Sequence, residues 1–304
     1  MSIPVVRTIA ALRAKMAAWR RESRTVALVP TMGALHAGHL VLVREGLQRA
    51  DRVVVSVFVN PTQFGPQEDF AHYPRVETLD RDQLATVGAS LLFAPTVAEM
   101  YPAGFATTIT VTGVSEGLCG TFRPAYFPGV ATVVTKLLLQ SLPDMALFGE
   151  KDYQQLQVIR RLVRDLDIPV AIIGVPTVRE FDGLALSSRN AYLSPEERRR
   201  AMTLYQALQE VSIAVAAGVQ ADMATNMARV RVLAAGFDSI EYLEVRDADT
   251  LTPLKGHVRR PARVLAAAWL GKTRLIDNVP VPVPVPPHSD VSLVDSHPRS
   301  VPTH

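Results

Sequence analysis

The chain has 304 residues, of which 48% are hydrophobic and 20% charged, and this balance excludes disorder of the chain as a whole. A formal net charge of +3 is too small to favour nucleic-acid binding, and one cysteine, Cys119, excludes an internal disulfide framework or a multi-cysteine zinc site. The first residues lack the apolar segment of a signal peptide, and no run approaches the roughly 18 apolar residues of a membrane span. We therefore expect a cytoplasmic protein that binds neither membranes nor nucleic acid.

The first 176 residues alternate between helix-like and strand-like patterns. The nearly continuous β-branched run Val53–Val59 is typical of a strand buried on both faces of a parallel sheet. This alternation predicts βαβ units and an α/β fold with a doubly wound, Rossmann-like parallel sheet. The predicted elements, in chain order, are a helix over 3–22, strand 25–29, helix 40–50, strand 53–59, helix 80–87, strand 91–93, helix 130–142, strand 145–148, helix 153–166 and strand 170–175.

The pattern changes after residue 176. Ser194, Pro195 and Glu197 form a helix-start signature with a capping box, a second helix is predicted over 221–235, and three strand-like runs follow. We predict three parts: a nucleotide- and substrate-binding domain over 1–176, a smaller α+β domain over 177–278, and a disordered proline-rich tail over 279–304.

The segment VPTMGALHAGHL, residues 29–40, lies between the first long strand and the next helix. Gly33 and Gly38 allow tight turns, while His36 and His39, three residues apart, would share one side of the first helical turn. A helix N-terminus offers unpaired N–H groups to a phosphate, and imidazole donors add to them. The pattern favours nucleotide binding over two unrelated surface histidines or a zinc site.

Two further segments follow strand ends, where open α/β sheets bind ligands. In VNPTQF, 59–64, the neutral amides of Asn60 and Gln63 suit hydroxyl and carboxylate groups. In FGEKDYQQL, 148–156, Lys151 supplies a cation for a phosphate, Asp152 is a predicted helix cap, and Gln155 follows one turn later. A turn begun by Asn-Pro would explain Asn60 without a ligand, and an exposed helical glutamine would explain Gln155.

A fourth segment, LALSSRNAYL over 184–193, joins the two predicted domains. Its hydroxyls and guanidinium, from Ser187, Ser188 and Arg189, could bind phosphates from a mobile segment, although an ordinary polar loop would have the same composition. The acidic residues considered as Mg²⁺ ligands are Asp69, Asp80 and Asp82, with Asp80 preferred. Cys119 has no obvious base partner, so we expect it to be buried and inert.

Together these segments resemble the pantoate–β-alanine ligase family, whose members are also called pantothenate synthetases, over essentially all of residues 1–278. Several long motifs in register make the resemblance specific, whereas His-x-Gly-His alone is shared by a whole nucleotidyltransferase superfamily. The matching segments, in order, are VPTMGALHAGH, FVNPTQF, YPR at 73–75, RPAYFPGV, FGEKDYQQL, VPTVREFDGLALSSRN and RLIDN.

The resemblance implies a cytoplasmic homodimeric ligase that uses ATP and Mg²⁺. Pantoate would attack the α-phosphate of ATP to give pantoyl adenylate and pyrophosphate, and β-alanine would then displace AMP. His39 would be a catalytic proton donor, assisted by His36 and Lys151, while Gln63, Gln155 and Asn60 would hold pantoate, with Gln63 also near β-alanine. The residues implied to contact ATP are Met32, Gly33, Ala34, Leu35, His36, Ala37, Gly38, His39, Gly149, Glu150, Lys151, Asp152, Val178, Leu186, Ser187, Ser188 and Arg189.

One residue departs from the family pattern. Family members usually have histidine in the RPxHFxGV segment, where this chain has Tyr126. Tyrosine keeps a hydrogen-bond donor but cannot be cationic at neutral pH, which argues against direct phosphate binding there. The alternatives to the ligase are another nucleotidyltransferase of the superfamily, which would keep the nucleotide in its product, and a non-enzymatic nucleotide- or RNA-binding protein, which the low aromatic content disfavours.

Overall fold

A computed structural model describes residues 3–65 and 70–282 of the chain. We number its elements in chain order: β1 (Val5–Val6), α1 (Ile9–Arg21), β2 (Val26–Thr31), α2 (Ala37–Arg49), β3 (Arg52–Val57), α3 (Glu77–Thr86), β4 (Leu91–Phe93), α4 (Val97–Met100), α5 (Leu118–Phe122), α6 (Tyr126–Ser141), β5 (Met145–Gly149), α7 (Tyr153–Asp165), β6 (Ala171–Val175), α8 (Pro195–Ala216), α9 (Ala221–Ala234), β7 (Ser239–Asp247), β8 (Ala262–Leu270) and β9 (Thr273–Val281). Short 3₁₀ helices cover Pro61–Gln63, Glu150–Asp152 and Ser188–Tyr192.

Six parallel strands form the larger sheet in the order β1-β4-β3-β2-β5-β6. Apolar side chains from α1, α6 and α7 cover one face of this sheet, and those from α2 and α3 cover the other. The strand order reverses between β2 and β5, because the chain leaves β2 toward β3 and returns beside β2 as β5. This arrangement confirms the predicted doubly wound α/β fold and creates a crevice at the strand ends.

The second sheet has three antiparallel strands in the order β7-β8-β9. Along β8, Val264 and Ala266 pack toward α8 and α9, whereas Leu265 and Ala267 join the core of the larger unit. Burial on both faces explains why residues 264–270 of β8 are a continuous apolar run. Gly271 and Lys272 form the two-residue turn between β8 and β9.

The structure corrects three expectations about the helices and strands. The predicted helix over 3–22 is divided, because Val5–Val6 pairs with β4 as a short strand before α1 begins. The short helices α4 and α5 were not predicted. The predicted tail was to begin at Val279, but Val279–Val281 completes β9, with Val279 and Val281 buried and Pro280 exposed. A proline fits there because β9 is an edge strand, and the rest of that predicted tail, from 283 onward, lies outside the described residues.

Candidate active site

A cavity of about 1220 Å³ opens at the carboxyl ends of the central parallel strands. Its lining residues include two groups, besides others from residues 119–137 and from the β8–β9 hairpin. We call the first the sheet side, made of the lining residues within 32–39, 59–63 and 149–155, which follow β2, β3 and β5. We call the second the clamp side, made of residues 177–190, which follow β6. The cavity therefore lies where the strand order reverses, as ligand sites do in open α/β sheets.

Asp80 anchors the loop between β2 and α2. Its two carboxylate oxygens accept the backbone N–H groups of Ala34, at 3.1 Å, and Leu35, at 2.7 Å. The neighbouring Gly33 has φ +83° and sits so close that a Cβ would lie 2.9 Å from the same carboxylate. Glycine is needed at this position for both conformation and space.

This anchoring contradicts the expectation that Asp80 binds Mg²⁺. The side chain is 1% exposed, does not line the cavity, and uses both oxygens for backbone groups. Burial raises the pKa of Asp80 despite these hydrogen bonds. Of the other carboxylates considered, Asp82 is exposed and away from the cavity, and Asp69 lies outside the described residues.

His36 and His39 lie together at the start of α2, with ring centroids 4.1 Å apart. Nδ1 of His36 accepts the Gly38 N–H at 3.2 Å, and Nδ1 of His39 accepts the His36 N–H at 3.3 Å. Because each Nδ1 accepts, each neutral ring keeps its proton on Nε2. The predicted shared side is therefore found, and both rings line the cavity as donors.

Both histidines are neutral near pH 7. Burial, with a contribution from the nearby Lys151 ammonium, lowers the pKa of His36 to about 4. Burial, His36 and Lys151 together lower the pKa of His39 to about 3. The rings can donate hydrogen bonds at this site without adding charge beside the lysine.

The loop after β5 presents Lys151 to the cavity, with its Nζ 3.9 Å from the Asp152 carboxylate. Asp152 makes no side-chain cap hydrogen bond to α7, so its predicted capping role is wrong. The Glu150 side chain is instead paired with Arg263 of β8 at 2.8 Å, and Asn278 of β9 donates to the carbonyls of Glu150 and Lys151, both at 2.9 Å. Sequence reasoning missed this support, although Asn278 ends the RLIDN motif.

Gln63 is held by Asn60. Asn60 Nδ2 donates to Gln63 Oε1 and to the Gly129 carbonyl, both at 3.1 Å, while Asn60 Oδ1 accepts from the Thr62 backbone and from the Tyr101 hydroxyl. These partners use every polar atom of Asn60, so the expectation that Asn60 binds substrate directly is wrong: it orients Gln63. Gln63 Nε2 donates only to the weak acceptor Met32 Sδ, at 3.0 Å, beside the cavity.

Gln155 is held in a similar way by a different partner. The Tyr126 hydroxyl donates to Gln155 Oε1 at 2.8 Å, and both side chains line the cavity. The guanidinium carbon of Arg123 stands 3.9 Å from the centre of the Tyr126 ring, and Arg123 also donates to the Gln63 carbonyl at 3.4 Å. Sequence reasoning left Tyr126 without a role, and the structure gives it a partner.

At the start of the clamp side, a hydrogen bond joins two stretches of backbone: the Leu186 N–H donates to the Val178 carbonyl at 2.9 Å. The Ser187 hydroxyl caps the following 3₁₀ helix by accepting from the Arg189 N–H at 3.2 Å. Arg179 fastens this segment to β9 through a two-point ion pair with Asp277, at 2.7 and 2.9 Å. Ser187, Ser188 and Arg189 all line the cavity.

Most of the predicted site residues meet at this cavity. Those that do not line it are Gly33, Ala34, Leu35, Ala37, Asp80 and Glu150: the hydrogen bonds of the buried Asp80 draw the 33–35 turn toward the core, and Arg263 draws Glu150 toward β8. The predicted ligand residues that line it are Met32, His36, Gly38, His39, Asn60, Gln63, Gly149, Lys151, Asp152, Gln155, Val178, Leu186, Ser187, Ser188 and Arg189.

Three other observations concern the described residues, 3–65 and 70–282. No helix among them is both long and apolar enough to cross a membrane. They contain no group of three or more His, Cys, Asp and Glu side chains placed to hold a metal ion. Cys119 is buried as expected, with Sγ 3.0 Å from the Tyr242 hydroxyl and 3.4 Å from Arg274 Nη2.

Comparisons with known proteins agree with the sequence motifs. The family model for pantoate-beta-alanine ligase matches residues 4–280. The pantothenate synthetase of Paramagnetospirillum magneticum is 65% identical over 280 residues, which are 92% of this chain and 98% of the relative.

Two solved structures share the fold along nearly their whole length. A pantothenate synthetase from Thermus thermophilus has a TM-score of 0.86 and 48% identity, covering 92% of this chain and 99% of that one. A pantoate-beta-alanine ligase from Francisella tularensis, solved in complex with beta-gamma ATP and beta-alanine, has a TM-score of 0.77 and 32% identity, covering 92% and 98%.

Proposed function

The chain belongs to the pantoate–β-alanine ligase family and condenses pantoate with β-alanine to pantothenate, and we propose that it does so through a pantoyl adenylate made from ATP. One observation supports this most strongly. Two neutral histidines, a lysine and two oriented glutamine amides face one cavity at the strand-order reversal. No nucleophilic side chain is required, because positioning and neutralisation of phosphate charge suffice for acyl adenylation.

In the first proposed step, a carboxylate oxygen of pantoate attacks the α-phosphorus of ATP. A new oxygen–phosphorus bond forms while the bond from that phosphorus to the bridging oxygen breaks, and pyrophosphate leaves with the bonding electrons. The Nε2–H groups of His36 and His39 and the Lys151 ammonium are placed to donate to phosphate oxygens as their charge shifts. Preorganised donors of this kind stabilise a transition state without reorganisation.

In the second proposed step, the neutral amine of β-alanine attacks the acyl carbon of the adenylate. The carbon–oxygen bond to AMP breaks, AMP leaves with the bonding electrons, and the proton that the amine nitrogen loses as the amide forms passes to the departing AMP phosphate. Gln63 and Gln155 would hold the pantoyl group through both steps. Their uncharged amides suit a carboxylate that must stay nucleophilic, since a tight ion pair would withdraw its electrons.

We assign Ser187, Ser188 and Arg189 to the ATP phosphates. A hydroxyl pair beside a guanidinium is suited to phosphate oxygens, and their segment connects the two sheets. We propose that the smaller unit acts as a lid that moves this segment, with the boundary near 177 and the unit extended to Val281, where β9 ends.

Mg²⁺ would enter with ATP as part of the substrate. The scarcity of clustered ligands among residues 3–65 and 70–282 fits an ion held mainly by nucleotide phosphates and water. Asp152 is the residue we propose to contact it, because its carboxylate lines the cavity beside Lys151 and does not cap α7. When bound, the ion supplies positive charge to the phosphates.

The family resemblance also supports a homodimer in the cytoplasm. Size-exclusion chromatography with light scattering tests the first part, since a dimer has twice the mass of the 304-residue chain. Fractionation of cells that express the protein tests the second part.

Isotope exchange tests the adenylate. Label from pyrophosphate should enter ATP when pantoate and a divalent cation are present, and β-alanine should not be needed. Exchange without pantoate, or release of ADP in place of AMP, would overturn the proposed route. Retention of the nucleotide in the final product would instead favour the related nucleotidyltransferases.

A further inference from the structure

The Tyr126 hydroxyl is the feature that neither the family resemblance nor the proposed steps use. We propose that Tyr126 is a positioning residue for the acid substrate, holding the Gln155 amide so that its N–H groups face the cavity. This inference rests on the proposed assignment of Gln155 to pantoate. It concerns a position where the chain has tyrosine in place of the usual histidine.

The surroundings of Tyr126 fix the position of its hydroxyl. Tyr126 is the first residue of α6 and Gln155 lies in the first turn of α7, so the 2.8 Å hydrogen bond joins two helices at the cavity. The phenol ring is itself fixed, by Arg123 at 3.9 Å over its face and by Phe127 at 5.0 Å in an edge contact. A ring held on two sides places its hydroxyl at one point.

The Tyr126 phenol also has the chemistry that this role needs. Burial raises the pKa of the Tyr126 phenol, so the hydroxyl keeps its proton and can donate it. An amide whose oxygen accepts that proton has both N–H bonds left for an acceptor in the cavity. A pantoate carboxylate or hydroxyl oxygen is such an acceptor, and no formal charge is added beside it.

The side-chain amide of Gln63 is held in the same way as that of Gln155, but by a different partner. Asn60 donates to Gln63 Oε1, and the direction of Asn60 is unambiguous because its Nδ2 must face the Gly129 carbonyl and its Oδ1 must face the Thr62 N–H. Gln63 therefore also has its nitrogen toward the cavity. Two independently held amides with the same orientation indicate a site that recognises hydrogen-bond acceptors.

Histidine would not serve Gln155 in the same way from this position. A phenol oxygen lies farther from the backbone than either imidazole nitrogen, so a histidine in the same backbone position would end short of Gln155 Oε1. The tyrosine thus couples α6 to the substrate-binding face of α7, a connection that a shorter donor does not make.

The test is a steady-state comparison of Tyr126→Phe, Gln155→Ala and the double variant. Tyr126→Phe keeps the ring over Arg123 and removes only the donor. We expect the KM for pantoate to rise about tenfold, which is the loss of one hydrogen bond of typical net strength, while kcat and the KM for ATP change less than about twofold. In the Gln155→Ala background the second substitution should raise the KM for pantoate no further.

The outcomes separate the two proposals. An unchanged KM for pantoate in Gln155→Ala would overturn the assignment of Gln155 to pantoate. A raised KM in Gln155→Ala together with an unchanged KM in Tyr126→Phe, or with additive effects in the double variant, would overturn the role of Tyr126 alone.

A matched control is Tyr153→Phe, which removes another partly buried hydroxyl, one that donates to the Ala248 carbonyl at 2.9 Å. Its KM for pantoate should stay within about twofold of wild type, because this hydroxyl bonds backbone rather than a substrate-binding amide. If Tyr126→Phe does not fold, the side-chain amide resonances of Gln155 in the wild-type protein replace it. They should shift when pantoate alone is added, and unshifted resonances would overturn the assignment of Gln155 to pantoate and, with it, the role of Tyr126 that rests on it.

Discussion

The two sides of the cavity are held in place by different interactions. On the sheet side, buried side chains accept from or donate to backbone groups: Asp80 accepts from the 34–35 turn, and Asn60 donates to Gly129. On the clamp side, ion pairs take this role: the partly exposed Arg198 joins Glu180 at 2.7 Å and Asp182 at 2.6 Å, and Arg179 joins the buried Asp277.

This difference suits the sheet side to a fixed geometry and the clamp side to movement. Buried hydrogen bonds to backbone are costly to break, because an unsatisfied group would remain, whereas ion pairs that water can reach contribute little. We propose that the sheet side keeps the reacting groups in place while the clamp side, where the ion pairs of Arg198 are open to water, opens and closes. Four experiments test this difference between the two sides of the cavity.

The largest expected effect concerns β9, which anchors the clamp side through Asp277. Truncation after Asn278 removes the buried Val279 and Val281 and the carbonyl of Pro280, which accepts from the Ser212 hydroxyl. We expect the free energy of unfolding in urea to fall by about 3–6 kcal/mol, from the burial of two valines. Truncation after Pro282 keeps β9 whole and is the matched control, and equal unfolding midpoints for the two truncations would contradict the prediction.

The next experiment tests whether the two sides act in different steps of the reaction. Arg189→Ala and Gln63→Ala should each lower the overall rate by about 10²–10³-fold, as expected for loss of a preorganised donor. Supplying pantoyl adenylate with β-alanine bypasses the phosphate chemistry. Under that bypass Arg189→Ala should recover most of its activity, whereas Gln63→Ala should stay impaired. Equal recovery of both variants would show that Gln63 acts only in the first step.

A smaller effect compares one carboxylate from each side. Asp80→Asn keeps the size of the side chain but leaves one acceptor oxygen for two backbone N–H groups. We expect the free energy of unfolding to fall by about 1–3 kcal/mol and the KM for ATP to rise. Asp182→Asn on the clamp side removes one of the two negative charges that pair with Arg198 and should cost less than about 1 kcal/mol. Similar losses in the two variants would remove the proposed distinction.

The effect that is smallest near neutral pH is a pH dependence of stability on the sheet side. The pKa of His36 is about 4 and that of His39 about 3, both below the usual 6.5, so between these values the unfolded chain binds more protons than the folded one. Stability should therefore rise with pH up to about 6.5 and fall below it, by about 1.4 kcal/mol per pH unit for each histidine. Imidazole resonances followed by NMR should titrate below about pH 5, and midpoints near the ordinary histidine value of about 6.5 would contradict this.

Much of the larger sheet was predictable because its strands are buried on both faces and its helices are amphipathic. The run Leu91–Phe93 is found as predicted, and the ends of β5, α7 and α9 lie within a residue or two of expectation. Val5–Val6 was missed because two residues are too few to show a period. Val279–Val281 was mistaken for a tail because alternating Val-Pro has the composition of an extended linker, although its valines face the core.

The residues proposed to bind ligands were easier to find than the residues that hold them in place. His36, His39, Lys151 and Gln63 stand in local motifs at strand ends, and the cavity contains all four. Asp80 lies more than 40 positions after the turn it supports. A single sequence contains no sign of such long-range pairs. Asp80 was therefore interpreted as a metal ligand and not as the buried anchor of this turn.

The turn at Gly271 and Lys272 has a consequence for how the enzyme can vary. Asp277 and Asn278 are neighbours on β9, so their side chains leave opposite faces of the strand: one joins Arg179 on the clamp side, the other the backbone beside Lys151. A two-residue turn sets the register of the hairpin in which they lie. Inserting one residue there would shift β9 by one position and exchange the two faces. Both attachments would then be lost together, so the active site depends on the length of this hairpin turn, whose Lys272 lines the cavity.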